Sequence, residues 1–190
     1  MNARPLARRL EVVADDHQAS PIKVVGVYAD LPSHLLAMGV FRNIARQCSA
    51  ACEFNESWWS FDMLASASMR STAVGLAAES DMIWCSTHAC KALPKPITEW
   101  VEAWLPRRSE PAGALVVLLR CPSNYKVEQS PSRAYLEQLA RAAAMELFVQ
   151  RFDCACGVSL NQAAVPLQIR KQIDEYHPDW KQIRHWGINE

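Results

Sequence analysis

Apolar and polar residues alternate along the chain in blocks that predict buried strands. Residues 22–30, 81–87 and 113–120 are mostly apolar and rich in β-branched or long aliphatic side chains, which is typical of strands buried on both faces of a sheet. Residues 52–61 also contain large apolar side chains, but polar residues dilute them, as in a strand at the edge of a sheet. The pattern therefore predicts three central strands and one edge strand.

Between these strands the apolar residues recur at helical spacing. In the clearest case, residues 97–105, they fall at i, i+3, i+4, i+7 and i+8 and form one apolar stripe. Pro94 and Pro96 suit the first turn of this helix, where a missing N–H costs little. The same reasoning predicts helices over residues 34–48, 66–79 and 132–152, a fifth strand over 155–160 and a fifth helix over 166–174.

Strands that alternate with helices predict right-handed crossovers and a parallel sheet with helices on both faces. An edge strand in second place, with buried first, third and fourth strands, favours the strand order 2-1-3-4-5. We therefore predict an α/β protein with a three-layer, doubly wound, Rossmann-like parallel sheet of five strands. This domain is expected to span residues 21–175, after a polar leader (1–20) and before a C-terminal tail packed on it (176–190).

Sheets of this kind bind ligands beyond the carboxyl ends of the strands, where the chain order reverses between the first and third strands. The loops there carry hydroxyl, imidazole and amide groups with little net charge, which favours a neutral polar ligand. Helix N-termini beyond Ser33 and Leu93 add partial positive charge, so a carboxylate is also acceptable. The candidate ligand-binding residues are Ser33, Ser86, Thr87, His88, Ser123 and Asn124.

The composition of the chain indicates which kinds of binding partner and which cell compartment to expect. The 190 residues are 50% hydrophobic, which is enough for one sizeable core. Twenty basic and twenty acidic residues cancel, so the overall charge favours neither nucleic acid nor an anionic membrane. No apolar run reaches the roughly 20 residues of a membrane span. Seven scattered cysteines indicate reduced thiols, and we expect a cytoplasmic protein with no membrane or nucleic-acid partner.

The third strand and third helix resemble those of the flavodoxin-like NAD(P)H-dependent flavin reductases. That family carries Thr-Pro-x-Tyr-Asn after the strand and Pro-x-x-Leu-Lys-Asn at the start of the helix. The family's threonine falls on Ser86, its helix proline on Pro94 and its leucine on Ile97. The resemblance implies a flavodoxin-like fold.

The chemical positions of these motifs differ from the family. Thr87, Ala89 and Cys90 stand at its loop proline, tyrosine and asparagine, and Thr98 and Glu99 replace its Lys-Asn pair. These differences leave open whether the chain is an enzyme.

The loop after the first strand also departs from the family. Flavodoxins hold the FMN phosphate there with a Gly- and Ser/Thr-rich loop. Residues 30–34 contain Asp30 and Pro32 and no glycine, so a phosphate would meet a carboxylate. We therefore predict no cofactor, with FMN as the minor alternative. The predicted function is a small-ligand-binding or protein-interaction module, and the alternative is a divergent FMN-dependent NAD(P)H oxidoreductase.

The cysteines suggest two possible sites, a metal site and a nucleophilic site, and the alternative to both is that the thiols are packed in the core. Cys85-x-x-His88-x-Cys90, with Cys121 nearby, offers soft metal ligands, but the spacing matches no standard zinc motif. Cys90 or Cys121 beside His88 also suits a nucleophile and base, yet neither cysteine has the glycine neighbours of a sharp nucleophile turn. We expect buried thiols and no metal.

Aromatic residues are concentrated in two places. Trp58 and Trp59 lie on the predicted edge strand, while Trp100 and Trp104 lie on the third helix. A wall of rings could stack on a planar ligand, but core packing and a subunit interface use aromatics as well. We expect the helix tryptophans to be buried and a homodimer to form through the surface near Trp58 and Trp59.

Overall fold

The computed structural model describes residues 20–48, 52–108 and 113–153. They form one parallel sheet in the order β2-β1-β3-β4-β5, which confirms the predicted α/β architecture and strand order. The predicted leader, the strand over 155–160, the helix over 166–174 and the C-terminal tail lie outside the described residues and stay predictions. The strands are β1 (Ile22–Tyr28), β2 (Phe54–Ser60), β3 (Met82–His88), β4 (Ala114–Cys121) and β5 (Glu146–Asp153).

Helices fill the connections between successive strands, as the apolar spacing predicts. Among the described residues, no helix combines the length and the hydropathy that a membrane span needs. The α-helices are α1 (Leu31–Cys48), α2 (Ala67–Ala78), α3 (Lys95–Trp104) and α4 (Pro131–Ala142). Short 3-10 turns lie at Met63–Ala65, Leu105–Arg107 and Val127–Gln129.

The helix predicted over residues 132–152 is wrong in its second half. Helix α4 ends at Ala142, and Ala144 has a left-handed φ of 51° that turns the chain toward the sheet. Leu147 and Phe148 continue the helical spacing of the preceding residues and suggested a longer helix. The same stretch pairs with the whole of β4 as strand β5, because pairing with an otherwise open strand outweighs local periodicity.

Two apolar layers cover the sheet. Helix α1 packs on one face, over Val24, Trp84 and Val116 among others, whereas α2, α3 and α4 pack on the other. Trp100 and Trp104 are 1% and 0% exposed, which confirms that the apolar stripe of α3 faces the core. Residues of one strand alternate between the two layers, and this alternation decides which side chains reach the α1 side of the carboxyl edge.

The ring of Trp58 forms part of the α1 layer. It lies 5.8 Å from the Phe41 ring and 6.0 Å from the Trp84 ring, measured between centroids, and it covers Gly26 on β1. A Cβ atom at Gly26 would lie 2.0 Å from Cε3 of Trp58, so only glycine leaves room for this ring. The indole N–H donates to Glu56. Trp58 therefore packs mainly within its own chain, while the expected dimer stays a prediction.

Candidate functional site

Three strands bring polar side chains to one edge of the sheet. Tyr28 pairs with Ser86 between β1 and β3, and His88 pairs with Arg120 between β3 and β4. Alternate residues of a strand face the same side of the sheet, and the even-numbered residues of β3 and β4 pack beneath α1. The side chains of Ser86, His88 and Arg120 therefore lie on the α1 side. Parallel pairing therefore places an imidazole and a guanidinium side by side at the carboxyl edge.

Asp30 joins this edge to helix α1. It directly precedes the helix, and its Oδ1 accepts a hydrogen bond of 2.8 Å from the backbone N–H of Ser33, as an N-cap carboxylate does. Its Oδ2 lies 2.8 Å from Nε2 of His88, and its Oδ1 lies 3.3 Å from Nη1 of Arg120. One carboxylate thus ties the start of α1 to the ends of β3 and β4.

The surroundings of Asp30 favour its ionised form. Burial by itself raises the pKa of this carboxyl group, but hydrogen bonding by Ser33 and His88 and the charge of His88 outweigh it and lower the pKa from 3.8 to about 2. The side chains of Asp30, His88 and Arg120 are 39%, 23% and 13% exposed. The cluster is therefore charged and still open to a molecule from the solvent.

The six residues predicted to bind a ligand have very different environments. Ser33, Ser86 and Thr87 are buried, and the Ser86 hydroxyl donates to the Ser33 carbonyl at 2.8 Å, so these three support the packing of the edge. His88 is part-exposed within the ionic cluster. Ser123 and Asn124 are exposed in the loop after β4. Binding of a ligand by these residues stays a prediction.

The start of α1 also differs from the expectation that Ser33 begins the helix. Helix α1 begins at Leu31, and Asp30 caps it. The carboxylate neutralises the partial positive charge that the helix would otherwise present to a ligand. The start of α1 therefore offers no free positive charge to a ligand, contrary to the expectation from the sequence.

The loop after β3 is held by the start of α4. The Ser130 hydroxyl donates to the Ala89 carbonyl at 2.6 Å, and the Ser132 hydroxyl donates to the Lys91 carbonyl. On the other side of β4, the Arg151 guanidinium donates to the carbonyl of Ser123. Both loops beyond the strands are thus anchored by side chains, which keeps the edge around His88 in a defined shape.

Sequence reasoning missed the two partners of His88. In the sequence, Asp30 is a carboxylate that a phosphate would meet and Arg120 is the last residue of a predicted strand, and neither is among the predicted ligand-binding residues. The available signal was positional: a charged residue at or just beyond the end of each central parallel strand belongs to the same edge. The pairing itself depends on register and on which face each side chain takes, and both are set by the assembled sheet.

The three cysteines of the alternative sites do not come together: Cys90 is exposed in the loop after β3, so the expectation of buried thiols is wrong for this residue. Cys85 and Cys121 are buried in the layer formed by α2, α3 and α4, whereas His88 lies on the α1 side. Burial raises the pKa of the Cys85 thiol to about 12. No group of three or more His, Cys, Asp or Glu side chains that could hold a metal ion occurs in the described part of the chain.

Acid should weaken the link made by Asp30. Because its pKa is lowered by folding, the stabilisation is complete above the unfolded value of 3.8 and is lost as the pH falls toward about 2. Wild type should therefore lose roughly 1 kcal/mol more than Asp30→Asn across this window, after allowance for solvent screening of a part-exposed group. Urea unfolding at a series of pH values measures the free energy of unfolding. Asp153→Asn is the control, because it also removes one carboxylate from this edge, and it should lose stability with falling pH as wild type does. A constant difference between wild type and Asp30→Asn through the window would contradict it.

Comparison with known proteins relates the fold to flavodoxin-like structures. No protein-family model and no curated protein sequence matches the chain. The metal-soaked Flv1 flavodiiron core from Synechocystis sp. PCC6803 is similar at 16% identity and a TM-score of 0.52, over 77% of this chain and 34% of that one. An oxidoreductase from Corynebacterium diphtheriae is similar at 12% identity and a TM-score of 0.51, over 76% and 91% of the two chains.

These structures confirm the flavodoxin-like fold, and the chain spans about a third of the flavodiiron core it matches. They also correct one prediction. The prediction of no cofactor, which was made from the missing phosphate loop, is wrong as it stood: the fold is shared with flavodoxin-like flavin proteins, and FMN is compatible with it.

The residues at the start of α1 do not fit the phosphate group of FMN. The N–H of Ser33 is already donated to Asp30, and this carboxylate is ionised at neutral pH. A phosphate at this helix end would lie beside a negative charge in place of free N–H groups. The fold is therefore compatible with FMN, whereas the residues at the start of α1 do not fit its phosphate group.

Proposed function

We propose that this flavodoxin-like domain binds a small molecule at the carboxyl ends of β1, β3 and β4, beside Asp30, His88 and Arg120. The observation that carries the proposal is the convergence of three ionisable side chains at the place where doubly wound sheets bind ligands. They come from three separate segments and remain part-exposed. Asp30 has a lowered pKa, and a perturbed carboxyl group at such an edge is a common mark of a functional site.

The chemistry of the cluster supports a neutral polar ligand or a carboxylate. His88 and Arg120 supply hydrogen-bond donors and positive charge, while Asp30 supplies one negative charge. The exposed hydroxyl and amide of Ser123 and Asn124 would extend the polar contacts. A carboxylate can pair with the guanidinium from the open side, and a neutral group meets no uncompensated charge.

Titration calorimetry with riboflavin and FMN tests the proposal on a fold that flavin proteins share. We expect saturable binding of at least one of them and a loss of about tenfold in affinity, equal to roughly 1.4 kcal/mol, in His88→Gln. Asp153→Asn, which removes a charge from β5 at the same edge, should bind as wild type does. Equal affinity in His88→Gln and wild type would place the ligand elsewhere.

A second candidate is an FMN-dependent NAD(P)H oxidoreductase. It is supported by the similarity in fold to a flavodiiron core and to an oxidoreductase. The protein purified without added flavin should then be yellow, and NADPH should bleach this colour under anaerobic conditions. Colourless protein that stays inactive after incubation with FMN would favour the binding domain.

Removal of the Asp30 charge should change the preference between flavins. FMN carries a phosphate and riboflavin does not, so only FMN is repelled by a carboxylate at the start of α1. We expect Asp30→Asn to change the ratio of FMN affinity to riboflavin affinity about tenfold in favour of FMN, because any effect on His88 is shared by the two flavins. Asparagine retains the N-cap, so the helix should be preserved. Equal changes for both flavins would show that the phosphate binds away from Asp30.

We also propose that the protein is cytoplasmic and forms a homodimer near Trp58 and Trp59. Strand β2 is an edge of the sheet as described, and Trp59 is only partly buried there. Sedimentation equilibrium of wild type and Trp59→Ala tests the dimer. A monomer at all concentrations would refute it.

A further inference from the structure

The imidazole of His88 is held from one side only. Its Nε2 lies 2.8 Å from Oδ2 of Asp30, while Asp30 is itself fixed by the N–H of Ser33 and by Arg120. Within residues 20–48, 52–108 and 113–153, the His88 ring makes one hydrogen bond, at Nε2. The ring side chain is 23% exposed, so one edge of it meets solvent.

This contact decides where the imidazole proton lies. An ionised carboxylate accepts hydrogen bonds and donates none, so Nε2 must carry the hydrogen atom and donate the hydrogen bond to Asp30. In the neutral imidazole the other nitrogen, Nδ1, then carries a free lone pair. The two ring nitrogens point in different directions, and Nδ1 is therefore directed away from Asp30.

We infer that His88 is a preset proton acceptor whose Nδ1 takes a hydrogen bond or a proton from a weakly acidic O–H or N–H of a neutral ligand. Asp30 is the positioning residue, because it holds the ring and the tautomer. This inference rests on the proposed function and adds the class of ligand: a phenol, an enol or a cyclic imide.

The charges balance if the proton moves. The O–H or N–H bond of the ligand breaks, its electron pair stays on the ligand, and the proton forms a bond to Nδ1. The resulting imidazolium is paired with the Asp30 carboxylate at 2.8 Å. The ligand anion then lies beside the imidazolium that took its proton. No other reactant is needed.

Nitrogen-15 NMR tests the tautomer without any ligand. His88→Gln assigns the ring signals among the five histidines of the chain. Neutral His88 should show the Nε2–H form in wild type and in Asp153→Asn. Asp30→Asn and Asp30→Ser, which both keep an N-cap residue, should shift the ratio toward the mixture of tautomers that a solvated imidazole shows. An Nδ1–H form in wild type, or the same tautomer ratio in wild type and both Asp30 variants, would overturn the inference.

A matched pair of probes tests the ligand class. para-Cresol has a weakly acidic O–H that stays protonated at neutral pH, and para-methylanisole has the same ring with a methyl ether. We expect the phenol to shift the His88 signals and to bind about tenfold more weakly to His88→Gln, with no such effect for the ether. Equal shifts by both probes, or by neither, would overturn the role of His88. The flavin titrations then decide separately whether the edge binds a ligand.

Discussion

Replacement of Trp104 by alanine is expected to lower the free energy of unfolding by about 3–5 kcal/mol, as large-to-small changes in a core do. The Trp104 side chain is 0% exposed, and its ring centroid lies 5.8 Å from that of Trp100. It fills the space between α3 and the sheet, where the neighbouring side chains come from several elements and cannot all move inward. The loss is therefore the transfer free energy of the indole together with the cavity it leaves.

Urea unfolding followed by circular dichroism measures this loss. Lys95→Ala is the matched control, because Lys95 lies on the same helix and its side chain is 85% exposed. The control should change the free energy of unfolding by less than about 0.5 kcal/mol. A loss below about 1 kcal/mol for Trp104→Ala would mean that this tryptophan is not a core residue in solution.

Gly26→Ala is expected to lower the free energy of unfolding by about 3 kcal/mol, at the upper end of the range for an overpacked core. The new methyl group would lie 2.0 Å from Cε3 of Trp58, well inside contact distance. The Trp58 ring cannot simply turn aside, since the rings of Phe41 and Trp84 pack edge-on against it. Either the β1–β2 pairing or this aromatic group must shift.

Two further variants separate this clash from other effects of losing a glycine. Gly75→Ala in α2 adds a methyl group with nothing within 4 Å, so it should raise stability by about 0.4–1 kcal/mol. In a Trp58→Ala background the clash is absent, and Gly26→Ala should then cost little. Additive losses for Gly26→Ala and Trp58→Ala in this double-mutant cycle would show that the two positions are not in contact.

The fold was largely predictable because each of its signals is local. Buried parallel strands appear as continuous apolar runs, and the stripe of α3 appears at helical spacing between its prolines and Leu105. Parallel pairing and right-handed crossovers then allow few topologies, and the diluted second strand selects the order found. The boundaries of β1 to β4 agree with the predicted ones within two residues.

Strand β5 was not predictable in this way. Residues 146–153 continue the apolar spacing of α4, and nothing in them ends the helix with a glycine or a proline. They become a strand because the outer edge of β4 offers eight residues of backbone pairing, which exists only once the first four strands are assembled. Local periodicity describes one segment, whereas pairing is a property of two.

The candidate site, like the fold, was only partly predictable from the sequence. From the sequence alone it follows that the polar loops after β1, β3 and β4 meet at one edge, since parallel strands end together, and His88 ends β3 at that edge. Only the tertiary structure decided that Ser33, Ser86 and Thr87 are buried and that Asp30 joins His88 to Arg120. The physical reason is that strand order depends on the apolar pattern of whole segments, whereas a hydrogen bond of 2.8 Å depends on register, face and helix start together.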